Sequence, residues 1–173
     1  MVSKELEVAI NKQINAELWS GYLYLSMSVH FANNGLPGFA NWFKVQFKEE
    51  QDHAHKLMHY LVSKGNRVEL QPIDKVDTSW NSLLHAFEVT LEHERVVTSL
   101  INNLVAMSRR ENDFATENTL QWFVSEQVEE EETAQGMIDA LKLIGDNGFG
   151  IYTMDKELSK RTYTPLEMSS DSE

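Results

Sequence analysis

Four long stretches of this chain carry apolar residues at alternating spacings of three and four, and a glutamate interrupts each of them near its middle. The first seam reads Leu6, Ile10, Gln13, Glu17, Ser20, Tyr24, Met27, Phe31, and the second Phe43, Phe47, Glu50, Ala54, Leu57, Leu61. The third reads Leu84, Phe87, Leu91, Glu94, Thr98, Ile101, Val105, and the fourth Leu120, Phe123, Gln127, Glu130, Ala134, Met137, Leu141, Ile144. Such spacing lays one stripe of side chains along one helical face, the face that a bundle buries. The chain is therefore expected to be all-α, a four-helix bundle.

The breakers agree with the seams. A first segment covers about residues 3–33 and stops at Asn33-Asn34-Gly35-Leu36-Pro37-Gly38; a second covers 39–64 and ends at Gly65. A third covers about 80–110, and Asn112-Asp113 turns and caps a fourth that ends near Ile144, before Gly145-Asp146-Asn147-Gly148. Helices of about 26–32 residues are roughly 40–48 Å long. Residues 66–79 have no helical period and contain Pro72. Extended, they reach roughly 46–50 Å, enough to run from one end of the bundle to the other. The second and third helices are thus expected to be parallel, joined by a long crossover. The whole chain, 1–173, reads as a single domain. The bundle occupies about 3–144, a short fifth helix about 154–161, and a polar, mobile tail 169–173.

Composition narrows the chemistry. The 27 Asp and Glu outnumber the 15 Lys and Arg, for a formal charge of −12, and there is no cysteine. Disulfides, thiolate metal sites and thiol nucleophiles are excluded. An acidic chain lacks the basic footprint that nucleic acid or an anionic membrane requires, so neither partner is expected. No run of 18 apolar residues occurs and the start lacks a signal-peptide pattern, so the cytoplasm is the expected compartment.

One buried-seam glutamate could be a misread register or a side chain snorkelling outward. Their levels argue otherwise. With Gly35 as the tip of the first hairpin, Glu17 lies 18 residues before it, and Glu50 and His53 lie 15 and 18 after. With Glu111 as the tip of the second, Glu94 lies 17 before, and Gln127 and Glu130 lie 16 and 19 after. All sit roughly 22–29 Å from their tips, in one cross-section. Four buried carboxylates repel one another and protonate unless cations join them, and two divalent cations match four glutamates. Glu50-x-x-His53 puts a carboxylate and an imidazole on one helical face, half of the motif of di-iron and di-manganese bundles. An oxygen-rich set with one nitrogen suits iron or manganese. In the fourth helix the matching place reads Gln127-x-x-Glu130, and a neutral Gln implies one metal held less tightly.

Glu49, Glu126 and Glu129 flank these positions and form either a third cation site or a solvated acidic face. Tyr24, two turns from Glu17 on the same face, is a redox-active or hydrogen-bonding neighbour of the metals, or a core aromatic. Trp122 reads as core packing. His93-Glu94 begins a zinc-protease motif, but Val97 stands where its second His belongs. His55 and His59 point away from the seam and read as exposed.

The residues Glu17, Glu49-Glu50-Gln51-Asp52-His53, Glu92-His93-Glu94-Arg95 and Ser125-Glu126-Gln127-Val128-Glu129-Glu130, with the crossover and the short last helix, resemble the ferritin family, specifically the prokaryotic non-haem ferritins. The resemblance implies a shell of 24 subunits, oxidation of Fe(II) by oxygen or peroxide at a di-iron ferroxidase centre, and storage of ferric mineral inside. It also implies that Glu17, Glu50 and His53 hold a first iron, and that Glu50, Glu94 and Glu130 hold a second, with Gln127 close by. Glu49, Glu126, Glu129 and Glu130 match a third iron site. Where bacterioferritins carry a haem-binding Met this chain has Gln51, so no haem is expected. Rubrerythrins need four cysteines, and Dps-type proteins build their site between subunits. Of two acidic positions that line a threefold channel in animal ferritins, Glu117 matches one and Leu120 replaces the other, against an acidic entry route there. Two rivals predict no storage: a dimetal peroxidase or catalase-type bundle, and a purely structural bundle without metal.

Overall fold

The structure, a computed structural model, describes residues 1–167; the expected tail at 169–173 lies outside them. Five helices follow one another: α1 (Lys4–Asn33), α2 (Pro37–Ser63), α3 (Leu83–Arg110), α4 (Phe114–Ile144) and α5 (Gly148–Leu158). α1 pairs with α2 and α3 with α4, each pair closed by a short turn.

Polar side chains set the helix starts. Ser3 accepts from the Leu6 amide at 3.1 Å, Ser82 from His85 at 3.0 Å and Asp113 from Thr116 at 3.0 Å. Ser82 is the reason α3 begins at Leu83 rather than near Trp80. The last helix is a larger correction. It was expected at about 154–161 because glycines read as a stop. Asn147 instead caps the amide of Gly150 at 3.0 Å and starts α5 at Gly148, and the chain leaves the helix after Leu158.

α2 has no cap of its own. Asp155 of α5 supplies one, its Oδ1 accepting from the amides of Gly38 at 2.7 Å and Phe39 at 3.0 Å. A Cβ on Gly38 would lie 1.7 Å from the Asp155 carbonyl oxygen, so only glycine admits this docking.

The crossover runs beside α1 for most of its length. Asn66 bonds Val2, the Glu69 amide donates to Asn11 Oδ1 at 2.7 Å, and Ser26 Oγ donates to the Asp77 carbonyl at 2.6 Å. Trp80 then packs edge-on against His30 at 5.4 Å. The connection starts near the beginning of α1 and finishes near its end, so α2 and α3 run parallel, as the length of the segment implied.

The apolar interior is in two pieces. One holds Tyr24, Met27 and Phe31 of α1, Phe39 and Phe43 of α2, Phe87 and Leu91 of α3, and Ala134, Ile138 and Leu141 of α4. The other holds Leu6, Ile10 and Ile14, then Ala54, Leu57 and Leu61, then Val97, Ile101 and Leu104, then Leu120 and Phe123. Between the two, on each of α1 to α4, stands the glutamate level. Leu120 belongs to this interior at 1% exposure, so it lines no channel, and Glu117 pairs with Arg109 of its own chain at 2.6 Å. His55 and His59 are exposed, as expected.

Candidate metal centre

Each of the four helices delivers polar side chains into the gap between the apolar halves. Glu17 is 1% exposed, Glu50 2%, His53 3%, Glu94 1%, Gln127 4% and Glu130 8%. The helical period alone brings them to this level. Gly21 brings α1 and α2 close beside it, since a Cβ there would meet Glu50 Cβ at 3.3 Å.

Ligand atoms of Glu17, Glu50 and His53 all lie within 4.8 Å of one another, an inner group. His53 Nδ1 is 3.5 Å from Glu50 Oε2. Glu17 Oε1 accepts from Gln13 Nε2 at 2.9 Å, but Glu17 Oε2 is buried with no donor. Its neighbour is the Glu50 carboxylate, another acceptor. A proton or a cation must stand between such oxygens, because a buried anion without either costs several kcal/mol. Burial first, then the like charge of a neighbouring carboxylate, raises both well above the ordinary carboxylate range: Glu50 for Glu17, and Glu94 for Glu50.

A second group shares the imidazole: His53, Glu126 and Glu130 again lie within 4.8 Å of one another. Burial, then the charge of Glu94, pushes Glu130 up to about 8, and burial also raises Glu126 and Glu49.

Glu94 enters neither group. Its Oε1 accepts from the Tyr24 hydroxyl and its Oε2 from Gln127 Nε2 at 3.1 Å. Gln127 also reaches the Glu94 carbonyl at 3.2 Å. Gln127 thus acts here as a donor that holds Glu94, and Tyr24 is a hydrogen-bonding neighbour of the site. Glu129 is exposed and outside both groups. Glu49 faces Glu126 across a cleft and is paired with Arg161 at 2.8 Å.

Three participants escaped the reading of the sequence as ligands or supports. Gln13 and Gln46 hold Glu17 and Glu130; each lies one turn before a seam glutamate, which is the signal that could have found them. Arg161, from beyond α5, had no local signal. Trp122 does more than fill the core: it packs edge-on against His53 at 5.3 Å, and Lys56 Nζ lies 4.6 Å over its ring. His93 lies behind Tyr24 rather than among the ligands. Its Nε2 is 2.7 Å from Ser20 Oγ, and burial lowers it to about 4, so it is neutral near pH 7.

Comparison with known proteins points one way. A ferritin-like domain model matches residues 7–144. The chain is 46% identical over 161 residues to the bacterial non-heme ferritin of Bacteroides fragilis, covering 93% of this chain and 100% of the relative. It is 44% identical to that of Campylobacter jejuni, over 90% of this chain and 93% of the relative. Among solved structures, the open-pore ferritin of the hyperthermophilic archaeon Archaeoglobus fulgidus superimposes with a TM-score of 0.93 at 46% identity. That match covers 94% of this chain and 100% of the other.

Proposed function

This chain belongs to the ferritin family and is of the bacterial non-haem kind, and we propose that it oxidises the iron it stores at the glutamate level described above. Iron storage in a multimeric cage is the family's function, and iron is here substrate and cargo. We assign this protein a cytoplasmic cage of 24 subunits. No described helix is long and apolar enough to cross a membrane.

The observation that carries the ferroxidase reading is the orphaned Oε2 of Glu17, a residue grouped with Glu50 and His53. A buried carboxylate oxygen without a donor, next to a second carboxylate and one imidazole, suits a divalent first-row cation. In our assignment Glu17, Glu50 and His53 hold the first Fe(II). Glu50, Glu94 and Glu130 hold the second, Glu94 being released from Tyr24 and Gln127. Glu49, Glu126, Glu129 and Glu130 receive a third iron. Two Fe(II) give one electron each to oxygen, which with two protons leaves as hydrogen peroxide; with peroxide as oxidant, the same two electrons and two protons yield water. The carboxylates favour Fe(III) by charge, so ligation assists the electron loss. His53 fixes the geometry of the first iron, and Tyr24 holds Glu94 in place until the second iron takes it.

Glu50 stands in both assignments, so it is the decisive test. Glu50→Ala is expected to abolish the fast phase of Fe(II) oxidation in stopped-flow absorbance while circular dichroism and cage size stay unchanged. Wild-type kinetics in that variant would refute the centre.

A further inference from the structure

Beyond α5 the chain turns back over α2. Arg161 Nη2 donates to Gln46 Oε1 at 2.5 Å and to Glu49 Oε2 at 2.8 Å, and Nη1 donates to the Trp42 carbonyl at 3.3 Å. The guanidinium lies 4.9 Å above the Trp42 ring, a stacking that arginine makes well. Gln46, 1% exposed, relays the contact inward, its Nε2 donating to Glu130 Oε2 at 2.8 Å. Further on, Asp52 Oδ2 accepts from the Tyr163 hydroxyl at 2.6 Å and from the Leu166 amide at 2.9 Å. Residues 161–166 therefore form a strap tied to α2 at two points. Under it is a cleft of about 190 Å³ between α2 and α4, with Glu49, His53 and Glu126 in its walls and Thr164 and Leu166 as its cover.

We propose that Arg161 is a built-in surrogate cation for the outer acidic group, so that a metal ion at Glu49, Glu126 and Glu130 competes with the closed strap. The guanidinium neutralises Glu49 and, through Gln46, claims one oxygen of Glu130. A metal ion that takes those oxygens must displace both bonds. It thereby loosens the strap at Arg161, which the Trp42 carbonyl and ring and the Asn41 side chain still hold, and eases access to the cleft beside His53. The Arg161 and Glu49 side chains are 25% and 29% exposed, so the pair is partly solvated and exchange with a metal ion is reversible. The polar contacts of the strap with α2 reach Asn41, Trp42, Gln46, Glu49 and Asp52, and neither Glu17 nor Glu50 is among them. Arg161 is thus a positioning residue for the outer group and leaves the inner one alone.

This inference rests on the metal-centre reading. It is tested by titrating the intact oligomer with Co(II), a redox-inert probe under these conditions, in a calorimeter, and by Co(II) occupancy in soaked crystals. Arg161→Gln is expected to tighten the weakest class of Co(II) about tenfold, with the ion at Glu17, Glu50 and His53 unchanged. Arg161→Lys, which keeps the charge, is expected to return most of that difference. Tyr163→Phe unties the strap from Asp52 but keeps the guanidinium, so it is expected to tighten the same class by a smaller factor. Limited proteolysis within residues 161–166 should quicken once the outer group is filled. Outer-site affinity that ignores Arg161→Gln, or a strap equally protected with and without Co(II), overturns the proposal. Wild-type protein that binds no Co(II) at all sinks the metal centre itself, a different failure from two tight ions with an indifferent third.

Discussion

Glu7 and Glu17 lie ten residues apart on the same helix, both out of water, and they have opposite fates. Glu7, 8% exposed, has donors: Lys4 Nζ, Asn66 Nδ2 at 2.7 Å and the Arg67 amide at 3.4 Å. Lys4 first and Asn66 second lower it to about 2. Burial opposes its ionisation less than either of these two bonds favours it. Glu17, 1% exposed in the middle of the bundle, receives one bond from Gln13 and faces another carboxylate, and burial raises it well above the ordinary range. The fold supplies donors to a carboxylate that ties its own elements together. It withholds them from one that must accept something from outside. A structural acid and a binding acid differ in what surrounds them, not in what they are.

The contrast breaks most sharply at Glu17. Glu17→Gln replaces an orphaned acceptor by a group that can donate to Glu50. The metal-free protein is expected to gain about 1–2 kcal/mol. The inner site is expected to lose Co(II) affinity by at least about a hundredfold, the worth of a charged ligand. Thermal unfolding with and without Co(II) reads both; a less stable metal-free variant would show that Glu17 is a structural acid after all.

Next in size is the pH dependence. Glu130 is raised in the fold to about 8 from an ordinary 4.5. Its favourable contribution is fully present below pH 4.5 and is lost as pH rises toward 8, where the folded state must hold a buried anion. Metal-free wild type should therefore lose stability relative to Glu130→Gln between pH 5 and 8, and added Co(II) should reverse that loss while releasing protons. A gap that is flat in pH would contradict the assignment.

Glu7 has the opposite sign. Its contribution is present above pH 4.5 and is lost as pH falls through about 2. Glu7→Gln is expected to lower the melting temperature by roughly 2–4 °C at pH 7 and to leave Fe(II) oxidation unchanged, since Lys4 and Asn66 lose a partner far from the glutamate level. Oxidation that slowed with it would join two regions that the fold keeps apart.

Much of this was readable from spacing. The buried seam residues of α1 are those that period assigned, from Leu6 to Phe31, and the second helix matches nearly as well. In α3 the burial shifts from Thr98 to Val97 and in α4 from Met137 to Ile138, because straight helices drift from a strict repeat. The start of α5 was missed because Gly148 and Gly150 look like breakers until Asn147 caps the turn and Asp155 docks it on α2. Glu50 and His53 were legible because their positions follow from helix geometry. That Gln127 would hold Glu94 rather than stand as a free ligand was not, since an amide can face either way.

By itself the sequence determined the helices, their buried stripes, the parallel crossover and the common level of Glu17, Glu50, Glu94 and Glu130. These follow from rise per residue, segment length and the exclusion of unpaired charge from a core, all of which act along the chain. Only the tertiary structure decided which carboxylates receive donors. Asn66 reaches Glu7 from the crossover, Gln46 and Arg161 join Glu130 and Glu49 from two elements, and Glu17 Oε2 is left without one. Those contacts depend on where distant segments return, and no local period encodes a return.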